Sequence, residues 1–457
     1  MTNMIDAFVQ HAMRSQYQDL PGATVRAVKT YLLDSLGVGI AGAGVPLTKN
    51  VRRASAGWAG KGAAHVWGED SYRTTPANAA FVNGFQIHCQ EYDCVHEPAV
   101  VHPMATILAA LMAECDAREN VSGKELAVAL AIAVDLAAGL GVSVSSPIKF
   151  FRPANAGIFG ATLGICRLRD LPADMMKDAL GYALAFNSGT MQAHVEGKPA
   201  LPLQIGNAAR GAILACDLAE ASVPGPHDSL EGPYGYFNLF EDEWDTSAVL
   251  ENLGKIWRIA EVSHKPFPTG RAAQGGIVLM QKLREQGVVA EAVEHVSLSA
   301  PPLIRRLVGR SIRTDMSVNY ARLCFQFSGA VALISGSVGL NDFSEQRLRD
   351  PSLFALGQKI EVIDDGSTDP AAFTPQVAVA HLKDGTQVEA RIDALYGSPS
   401  DPMTPQSHLA KFRECVAFGF GEPRELIADR LIDLTENLEA LTDVSILSRL
   451  AAGLEAA

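Results

Sequence analysis

A series of Ala-, Leu- and Gly-rich segments runs from residue 23 to residue 223. Polar residues recur in these segments at helical spacing, and Gly or Pro separates most of them. The predicted helices are 25–41, 78–88, 105–118, 123–140, 155–167, 173–186 and 206–221. So many small side chains on successive helices predict a large all-helical domain whose helices pack closely.

The pattern changes after residue 253. Alternating β-branched residues predict strands at 292–298, 360–364, 376–382 and 386–392, and Asp384-Gly385 predicts a hairpin turn between the last two. Helical patterns at 272–285 and 321–335 lie among these strands, which is typical of an α/β domain.

Amphipathic helical patterns return after residue 400, for example at 407–418. The chain is therefore predicted to be mainly α, with an α/β domain at 265–399 inserted into an all-helical domain formed by 1–264 and 400–457. A cleft between the two domains is the expected place for a ligand.

Composition excludes several classes of function. The 457 residues are 48% hydrophobic and 19% charged, which predicts a folded protein of about two domains, and the net charge of −13 argues against nonspecific nucleic-acid binding and anionic membrane surfaces. The seven cysteines include no CxxC pair, so neither disulfides nor a zinc site are predicted and a reducing cytoplasm is favoured. Polar residues throughout the first sixteen positions, and charges within the apolar runs, argue against export and membrane insertion.

No nucleotide cofactor is indicated either. The Gly-x-Gly pairs at 37–39 and 139–141 lie in Ala-rich helical surroundings without a preceding strand, so they are predicted to be packing glycines rather than a phosphate-binding loop.

Residues 90–103 form a turn-rich break between two predicted helices and contain Asp93, His96 and His102. Free backbone N–H groups and aligned peptide dipoles at helix ends favour bound anions, so a carboxylate substrate fits this position. The same side chains are ligand types for zinc, iron or manganese, but the spacing lacks an HExxH pair and a third strong ligand. Metal-free acid/base chemistry is favoured over a metal site. The alternative is that both histidines have only a structural role.

A second candidate segment, residues 264–271, joins the two predicted domains. Pro266 and Pro268 stiffen it, and it carries Lys265 and Arg271 at the start of a predicted helix. Two cations at a helix N-terminus indicate an anion pocket. The alternative is a solvated hinge with two surface cations.

Four further residues are weaker candidates. Arg152 and Arg322 could each clamp a carboxylate, and Tyr320 could donate a hydrogen bond to a developing enolate. Lys198 is a loop cation that could bind an anion. Each could equally serve as a cap partner, a packed ring or a surface charge.

A series of short motifs is spread along nearly the whole chain. They run from Asp34-Ser35-Leu36-Gly37 through His102-Pro103, Phe159-Gly160-Ala161-Thr162, Gly206-Asn207-Ala208-Ala209-Arg210, Val223-Pro224-Gly225-Pro226 and Lys265-Pro266-Phe267-Pro268 to Gly397-Ser398-Pro399 and Asp401-Pro402-Met403. In these motifs the chain resembles the MmgE/PrpD family, which includes 2-methylcitrate dehydratase, cis-aconitate decarboxylase and iminodisuccinate epimerase. The resemblance implies a helical domain with an inserted α/β lid, a site between them, metal-free chemistry on di- or tricarboxylates without a cofactor, and a homodimer.

The resemblance also implies roles for individual residues. Asp93, His102 and Lys265 match family active-site positions, and His96 lies in the same loop. Leu201, however, stands where the family usually has lysine, and Arg152 and Gln274 stand where histidine is usual.

The predicted function is a metal-independent lyase of the dehydratase type, in which His102 or Lys265 removes a proton next to a carboxylate and Asp93 tunes the imidazole. The predicted substrate-binding residues are His96, Arg152, Lys198, Arg271, Tyr320 and Arg322. Because the exchanged residues affect proton transfer, two-base epimerisation of a dicarboxylate is an alternative, and a noncatalytic carboxylate-binding protein is another.

Overall fold

Helices dominate the structure, and a smaller α/β part follows the first helical block, as the sequence predicts. The structure is a computed structural model that describes residues 3–58, 60–118, 120–369 and 372–454. The first block comprises α1 (Met4–Arg14), α2 (Gly22–Ala43), α3 (Pro46–Ser55), α4 (Pro76–His88), α5 (Pro103–Ala117), α6 (Gly123–Val142), α7 (Arg152–Leu168), α8 (Ala173–Ala185), α9 (Gln192–Glu196), α10 (Ala200–Glu220), α11 (Tyr236–Phe240) and α12 (Ser247–Asn252). Two short strands, β1 (Ala64–His65) and β2 (Arg73–Thr74), pair antiparallel between α3 and α4.

The second part contains both helices and strands. Its elements are α13 (Arg271–Glu285), β3 (Val293–Ala300), α14 (Pro302–Val308), α15 (Val318–Ala321), α16 (Phe325–Ser335), α17 (Glu345–Leu348), α18 (Pro351–Gly357), β4 (Ile360–Asp364), β5 (Gln376–Leu382) and β6 (Gln387–Ile392). The chain then forms α19 (Pro405–Phe420), α20 (Glu425–Glu436) and α21 (Ser445–Ala451). Short 3₁₀ turns at Tyr17–Asp19, Arg258–Glu261, Ala290–Ala292, Leu340–Phe343 and Leu438–Ala440 connect some of these elements.

The predicted start of α6 has a clear local cause. The Ser122 hydroxyl accepts a hydrogen bond from the Glu125 amide, and the Glu125 carboxylate accepts one from the Ser122 amide, which is a capping box. The helix is long and apolar enough to cross a membrane, contrary to the expectation that charges would keep every apolar run shorter, but 89% of its most apolar window is buried inside the protein. Its apolar character therefore matches its place as a core helix.

Glycines allow the helices to approach closely, as the composition predicts. A Cβ atom on Gly39 would lie 2.5 Å from the Trp67 ring, and one on Gly141 would lie 2.5 Å from the Ala99 carbonyl oxygen. Both Gly-x-Gly pairs are thus packing sites. The contact at Gly141 also presses the end of α6 against the loop that carries the candidate site.

The four strands β3 to β6 of the described residues form one mixed sheet in the order β4-β3-β5-β6. β3 pairs parallel with β4 and antiparallel with β5, and β5 pairs antiparallel with β6. The predicted Asp384-Gly385 turn closes this last hairpin, with Gly385 at φ 87° and the Asp384 carboxylate accepting from the Thr386 amide. Helices α13 and α16 pack on the sheet, so one face of it is covered.

Buried apolar side chains form two large clusters. One extends from Met4 to Val262 and includes residues of α19 to α21, while the other extends from Phe267 to Leu395. The C-terminal helices thus return to the first helical block, with α19 packed on α2. The division into 1–264 with 400–457, and 265–399, remains a prediction that these two cores motivate.

Candidate active site

The two segments that the sequence singles out lie side by side, although about 170 residues separate them. The loop between α4 and α5 forms a β-bridge from Val95 to Ser263, with N–H···O distances of 3.0 and 2.8 Å. The Arg322 guanidinium donates to the carbonyl oxygens of Gln90 and Pro268 at 2.6 and 3.0 Å. Arg322 therefore fastens the two segments to each other.

The backbone of this loop is strained at two positions. Glu91 has φ 51° and Val100 has φ 52°. Left-handed backbone is unusual for residues other than glycine and is a true outlier for a β-branched one, and such strain tends to occur at functional sites. The loop is held in this shape by neighbours, including α6 at Gly141.

Asp93 is the centre of the site. Its side chain is fully buried, and its Oδ2 accepts hydrogen bonds from Nδ1 of His88 and Nδ1 of His102, both at 3.0 Å. Lys265 Nζ lies 3.8 Å from Asp93 Oδ1. Burial alone would raise the pKa of Asp93, but these three positive or protonatable neighbours hold it well below the ordinary value. We call Asp93, His88, His102 and Lys265 the Asp93 cluster.

His102 is the member of this cluster best suited to accept a proton. Its Nδ1 is engaged by Asp93, which leaves Nε2 as the free ring nitrogen, and the ring lines the main cavity. Burial and the charge of Lys265 lower the pKa of His102, although Asp93 acts in the opposite direction. The imidazole is thus neutral near pH 7 and has an accepting nitrogen at the cavity.

His88, at the end of α4, was missed by the sequence analysis as a site residue. Burial lowers its pKa, but Asp93 and Glu91 outweigh burial and raise it. Its Nε2 has no hydrogen-bond partner among the described residues and lies 3.6 Å from Glu91 Oε1. The His88 and His102 rings are 4.9 Å apart, and both bond to the same oxygen of Asp93.

Lys265 is fully buried, and its ammonium group lies beside two carboxylates. Its Nζ donates to Glu91 Oε2 at 3.0 Å and to the Glu91 carbonyl oxygen at 3.2 Å. Burial opposes ionisation of Glu91, but Lys265, His88 and His102 together outweigh it and lower the pKa of Glu91 to about 2. The structure therefore makes Lys265 the counter-charge of Glu91 and Asp93, and Glu91 is a second residue that the sequence analysis missed.

Arg271 lines the cavity at the first turn of α13, as the prediction of an anion pocket requires. Its Nε donates to Glu97 Oε1 at 2.6 Å, and its Nη1 donates to the Tyr396 carbonyl oxygen at 2.8 Å and to Gln274 Oε1 at 3.2 Å. Its Nη2 also lies 2.6 Å from Glu97 Oε1, in an ion pair without hydrogen-bond geometry. Glu97 thus compensates the charge of this buried guanidinium.

Three residues with predicted roles in substrate binding are engaged elsewhere. His96 Nε2 pairs with Glu261 Oε2 at 3.0 Å, and its Nδ1 accepts from the Ala99 amide, so His96 shapes the loop. Arg152 forms a two-pronged ion pair with Glu241 at 3.1 and 3.2 Å. The third such residue is Tyr320.

Tyr320 does not present its hydroxyl to the cavity. The hydroxyl donates to the Ser311 carbonyl oxygen at 2.7 Å, and the guanidinium groups of Arg310 and Arg313 lie 4.9 and 4.3 Å from the ring centroid. A nearby backbone carbonyl thus satisfies the hydroxyl, and the predicted donation to an enolate would require this hydrogen bond to break.

Lys198 and Arg322 line a small side pocket rather than the main cavity. The side pocket shares His88, Glu91 and Leu201 with the main cavity, so the two spaces adjoin. Burial lowers the pKa of Arg322 to about 10, and its guanidinium contacts only neutral acceptors in the described chain.

The main cavity is lined by residues of both the helical and the α/β parts, and small-molecule sites often lie at such junctions. Its titratable lining groups are His88, Glu91, His102, His194 and Arg271. His194, from α9, is a third missed residue; burial and Arg310 lower its pKa to about 4. No local sequence pattern marks His88, Glu91 or His194 as a site residue, because only the tertiary fold brings α4, α9 and the loop together.

Two groups of described residues hold metal-type ligand atoms within 4.8 Å of one another. One is His88, Asp93 and His102, whose nitrogen and oxygen atoms already bond to one another. The other lies in what we call the Asp34 cluster, which comprises Asp34, His264, His408 and Lys411; there, Lys411 Nζ lies 2.7 Å from Asp34 Oδ1. In both groups the protein's own cations compensate the aspartate, and a divalent ion would have to displace them.

Sequence comparison decides the family. Models of the MmgE/PrpD N-terminal and C-terminal domains match residues 6–248 and 267–434, respectively.

The chain belongs to the MmgE/PrpD family.

Relatives in the MmgE/PrpD family cover nearly the whole chain. Cis-aconitate decarboxylase of Mus musculus is 27% identical over 454 residues, which are 95% of this chain and 90% of the relative. Cis-aconitate decarboxylase of Homo sapiens is 25% identical, with 95% and 91% covered, and that of Aspergillus terreus is 25% identical, with 94% and 92% covered.

Three positions depart from the MmgE/PrpD pattern that the resemblance implies. Leu201 lines both the cavity and the side pocket, where a lysine would have added a charge. Arg152 is held by Glu241. Gln274 donates to the Phe267 carbonyl oxygen at 2.8 Å and accepts from Arg271, so it fixes the turn before α13.

Proposed function

We propose that this chain is a lyase that acts on a small carboxylate by general-base removal of a proton next to a carboxylate group. The observation that carries the proposal is His102, whose Nδ1 is held by Asp93 while its ring lines the cavity. The relatives named above are cis-aconitate decarboxylases, which supports a lyase acting on small carboxylates.

His102 Nε2 takes the proton from the α-carbon, and the electron pair left on that carbon delocalises into the neighbouring carboxylate. Asp93 holds the imidazole by Nδ1 and stabilises the imidazolium that forms. We assign this step to His102 rather than Lys265, because the Lys265 ammonium is already paired with Glu91.

His88 is the proposed acid. Its raised pKa favours the protonated ring, and its Nε2 lacks a partner in the described chain. In a dehydration, His88 gives that proton to the leaving hydroxyl group, so water departs and the electron pair forms the double bond. The same ring can instead stabilise negative charge that develops on the substrate.

Substrate carboxylates are proposed to bind at Arg271 and at the adjoining side pocket with Arg322 and Lys198. Arg271 lines the cavity, and the buried Arg322 donates only to neutral acceptors in the described chain, which supports this assignment. The proposed reaction needs no metal ion, because His102 supplies the base and His88 the acid. Preincubation with EDTA is expected to leave turnover unchanged.

A two-base epimerase is the second candidate. It is favoured by His194, a third imidazole in the cavity that comes from a separate helix and does not bond to Asp93. Epimerisation would require a second base that returns the proton to the opposite face.

The test is proton NMR in deuterium oxide with methylcitrate, citrate, cis-aconitate, malate and iminodisuccinate. New vinyl signals support a lyase that eliminates water or carbon dioxide, and α-deuteration without new vinyl signals supports the epimerase. His102→Ala is expected to abolish either reaction, with His102→Gln as a control that retains side-chain volume. Binding without any exchange or turnover would favour the noncatalytic carboxylate-binding protein.

We also propose a cytoplasmic homodimer. The cysteines are all free and buried, which suits a reducing compartment, and the family resemblance implies the dimer. Light scattering of the purified protein is expected to give about twice the mass of one chain, 48.6 kDa.

A further inference from the structure

The main cavity is mostly apolar. Side chains from the helical and α/β parts both contribute to its wall, including Phe151, Met191, Leu201, Leu307, Val308 and Phe373. An uncharged substituent gains free energy by leaving water for such a wall, whereas an unpaired carboxylate loses its hydration there. The wall therefore discriminates between substrates by charge.

The cations in the described lining of this cavity already have acidic partners. Arg271 pairs with Glu97 at 2.6 Å, and His88 shares Asp93 with His102. The nearby Lys265 pairs with Glu91. A substrate with three carboxylates would bring three negative charges against a wall whose positive charges are already balanced.

The adjoining side pocket differs in its charge. Arg322 is 3% exposed and donates only to carbonyl and amide oxygens, and Lys198 is exposed without an ion pair in the described chain. These two cations can compensate one carboxylate, or at most two. Leu201 lies where the two spaces meet and is 5% exposed.

We infer that the site selects a carboxylate with an uncharged, apolar substituent over a tricarboxylate, and that Leu201 sets this preference. The inference rests on the proposed function, since it assumes that the cavity beside His102 holds the substrate. One carboxylate binds toward Arg322 and Lys198, and the apolar substituent lies on the wall that includes Leu201.

The test is calorimetric titration with two unreactive acids that differ in a single group. Tricarballylate and 2-ethylsuccinate share one skeleton, but the former carries a carboxylate where the latter carries a methyl group. Wild type is expected to bind 2-ethylsuccinate at least about tenfold more tightly than tricarballylate. Equal affinities, or tighter binding of tricarballylate, would overturn the inference.

Two variants of Leu201 sharpen the test. Leu201→Lys adds a cation to the wall and is expected to reverse the preference, while Leu201→Met keeps an apolar side chain of similar volume and is expected to retain it. If Leu201→Lys does not fold, Met191→Lys places the charge on a half-buried neighbour in the same wall. A lysine variant that folds and leaves the preference unchanged would refute the role given to the apolar wall.

Binding and turnover separate this inference from the proposed function. If wild type turns over an acid in the NMR panel but prefers tricarballylate, only the inference fails. If neither acid binds and no compound in the panel exchanges or reacts, the proposed function fails as well.

Discussion

Two buried clusters in this molecule have the same composition, one aspartate, two histidines and one lysine, yet their geometry differs. In the Asp93 cluster, the aspartate bonds both imidazoles at 3.0 Å, and the lysine is 3.8 Å away. In the Asp34 cluster, the lysine is 2.7 Å from the aspartate, and neither imidazole bonds to it. The cation nearest to the aspartate thus decides whether the carboxylate tunes a histidine or neutralises an ammonium group.

Access to the cavity is the second difference. His102 and His88 line it, whereas none of the four described residues of the Asp34 cluster is part of its lining. His264 and His408 instead pack against each other with ring centroids 4.8 Å apart, and Lys411 donates to the Tyr92 carbonyl oxygen at 3.0 Å. The Asp34 cluster supports the loop from behind, which is a structural role.

The largest expected effect separates the two aspartates. Asp93→Asn removes the charge that orients and stabilises the His102 imidazole, so kcat/KM is expected to fall by about 10²–10⁴. Because Asp93 raises the pKa of His102, its loss also moves the acid limb of the pH profile of kcat/KM to lower pH. The measurement is kcat/KM from pH 4.5 to pH 8.5, a range chosen to bracket the histidine pKa.

The matched control for this prediction is Asp34→Asn. It changes an equally buried aspartate that does not line the cavity, so kcat/KM is expected to stay within about tenfold of wild type and its acid limb to stay in place. Similar losses of kcat/KM in the two variants would show that the two clusters do not divide their roles as argued.

The next effect concerns stability. Lys411→Met leaves Asp34 buried without its cation and is expected to lower the free energy of unfolding by about 3–5 kcal/mol. The control is Lys149→Met, which breaks an exposed ion pair to Asp242 worth roughly 0–1 kcal/mol. Urea-induced unfolding measures both variants. Equal free energies of unfolding would show that the buried Lys411–Asp34 pair contributes no more to stability than the exposed pair.

Acid stability gives a smaller effect with a defined pH window. Burial lowers the pKa of His264 to about 3, from an ordinary value of 6.5. As the pH falls below about 6.5, the unfolded chain binds a proton that the folded chain does not, and stability falls by up to about 1.4 kcal/mol per pH unit for this group. The pKa of Glu91, about 2 against an ordinary 4.5, adds a loss only below about pH 4.5.

His264→Gln is therefore expected to flatten the decline in stability between pH 6.5 and pH 4.5, where Glu91 does not contribute. Thermal melting across this range measures the slope, and the exposed His227→Gln serves as the control. An unchanged slope in His264→Gln would mean that the buried imidazole is not held neutral.

Much of the fold follows from local sequence patterns. The strands Ile360–Asp364 and Gln376–Leu382 lie where the alternation predicts them, and the Asp384-Gly385 hairpin forms as expected. Helix ends are also local when a cap defines them, as at Ser122. The apolar run of α6 was underestimated, because Lys124 and Glu125 lie in its exposed first turn and Asp135 is buried within the run, where it bonds to His11 and to the Arg258 amide.

The site was less predictable because its partners are distant in sequence. The local pattern made Asp93, His102 and Lys265 candidates, since they lie in Pro-rich or turn-rich segments, and the structure brings the three together. It could not show that Glu241 engages Arg152 or that the Ser311 carbonyl engages Tyr320, as these pairings depend on tertiary packing. His88 lies at the end of an ordinary apolar helix, and only Asp93 distinguishes it from a core histidine.

Backbone strain gives the last and smallest test of the comparison. The loop of the Asp93 cluster has positive φ at Glu91 and Val100, whereas Asp34, His264 and His408 are absent from the described positions with positive φ. Strained residues cost about 1–3 kcal/mol each and persist where function requires their shape. We expect the strain to belong to the cluster that performs chemistry.

Val100→Gly tests this directly, because glycine adopts φ 52° without a steric penalty. Relief of strain offsets the lost half-buried side chain, so the free energy of unfolding is expected to change by no more than about 1 kcal/mol, while a looser loop lowers kcat/KM. Val95→Gly, in the same loop but without positive φ, loses a buried side chain and is expected to destabilise the protein by about 2–4 kcal/mol. Equal destabilisation by the two substitutions in urea would show that Val100 stores no strain, and the backbone would then cease to distinguish the two clusters.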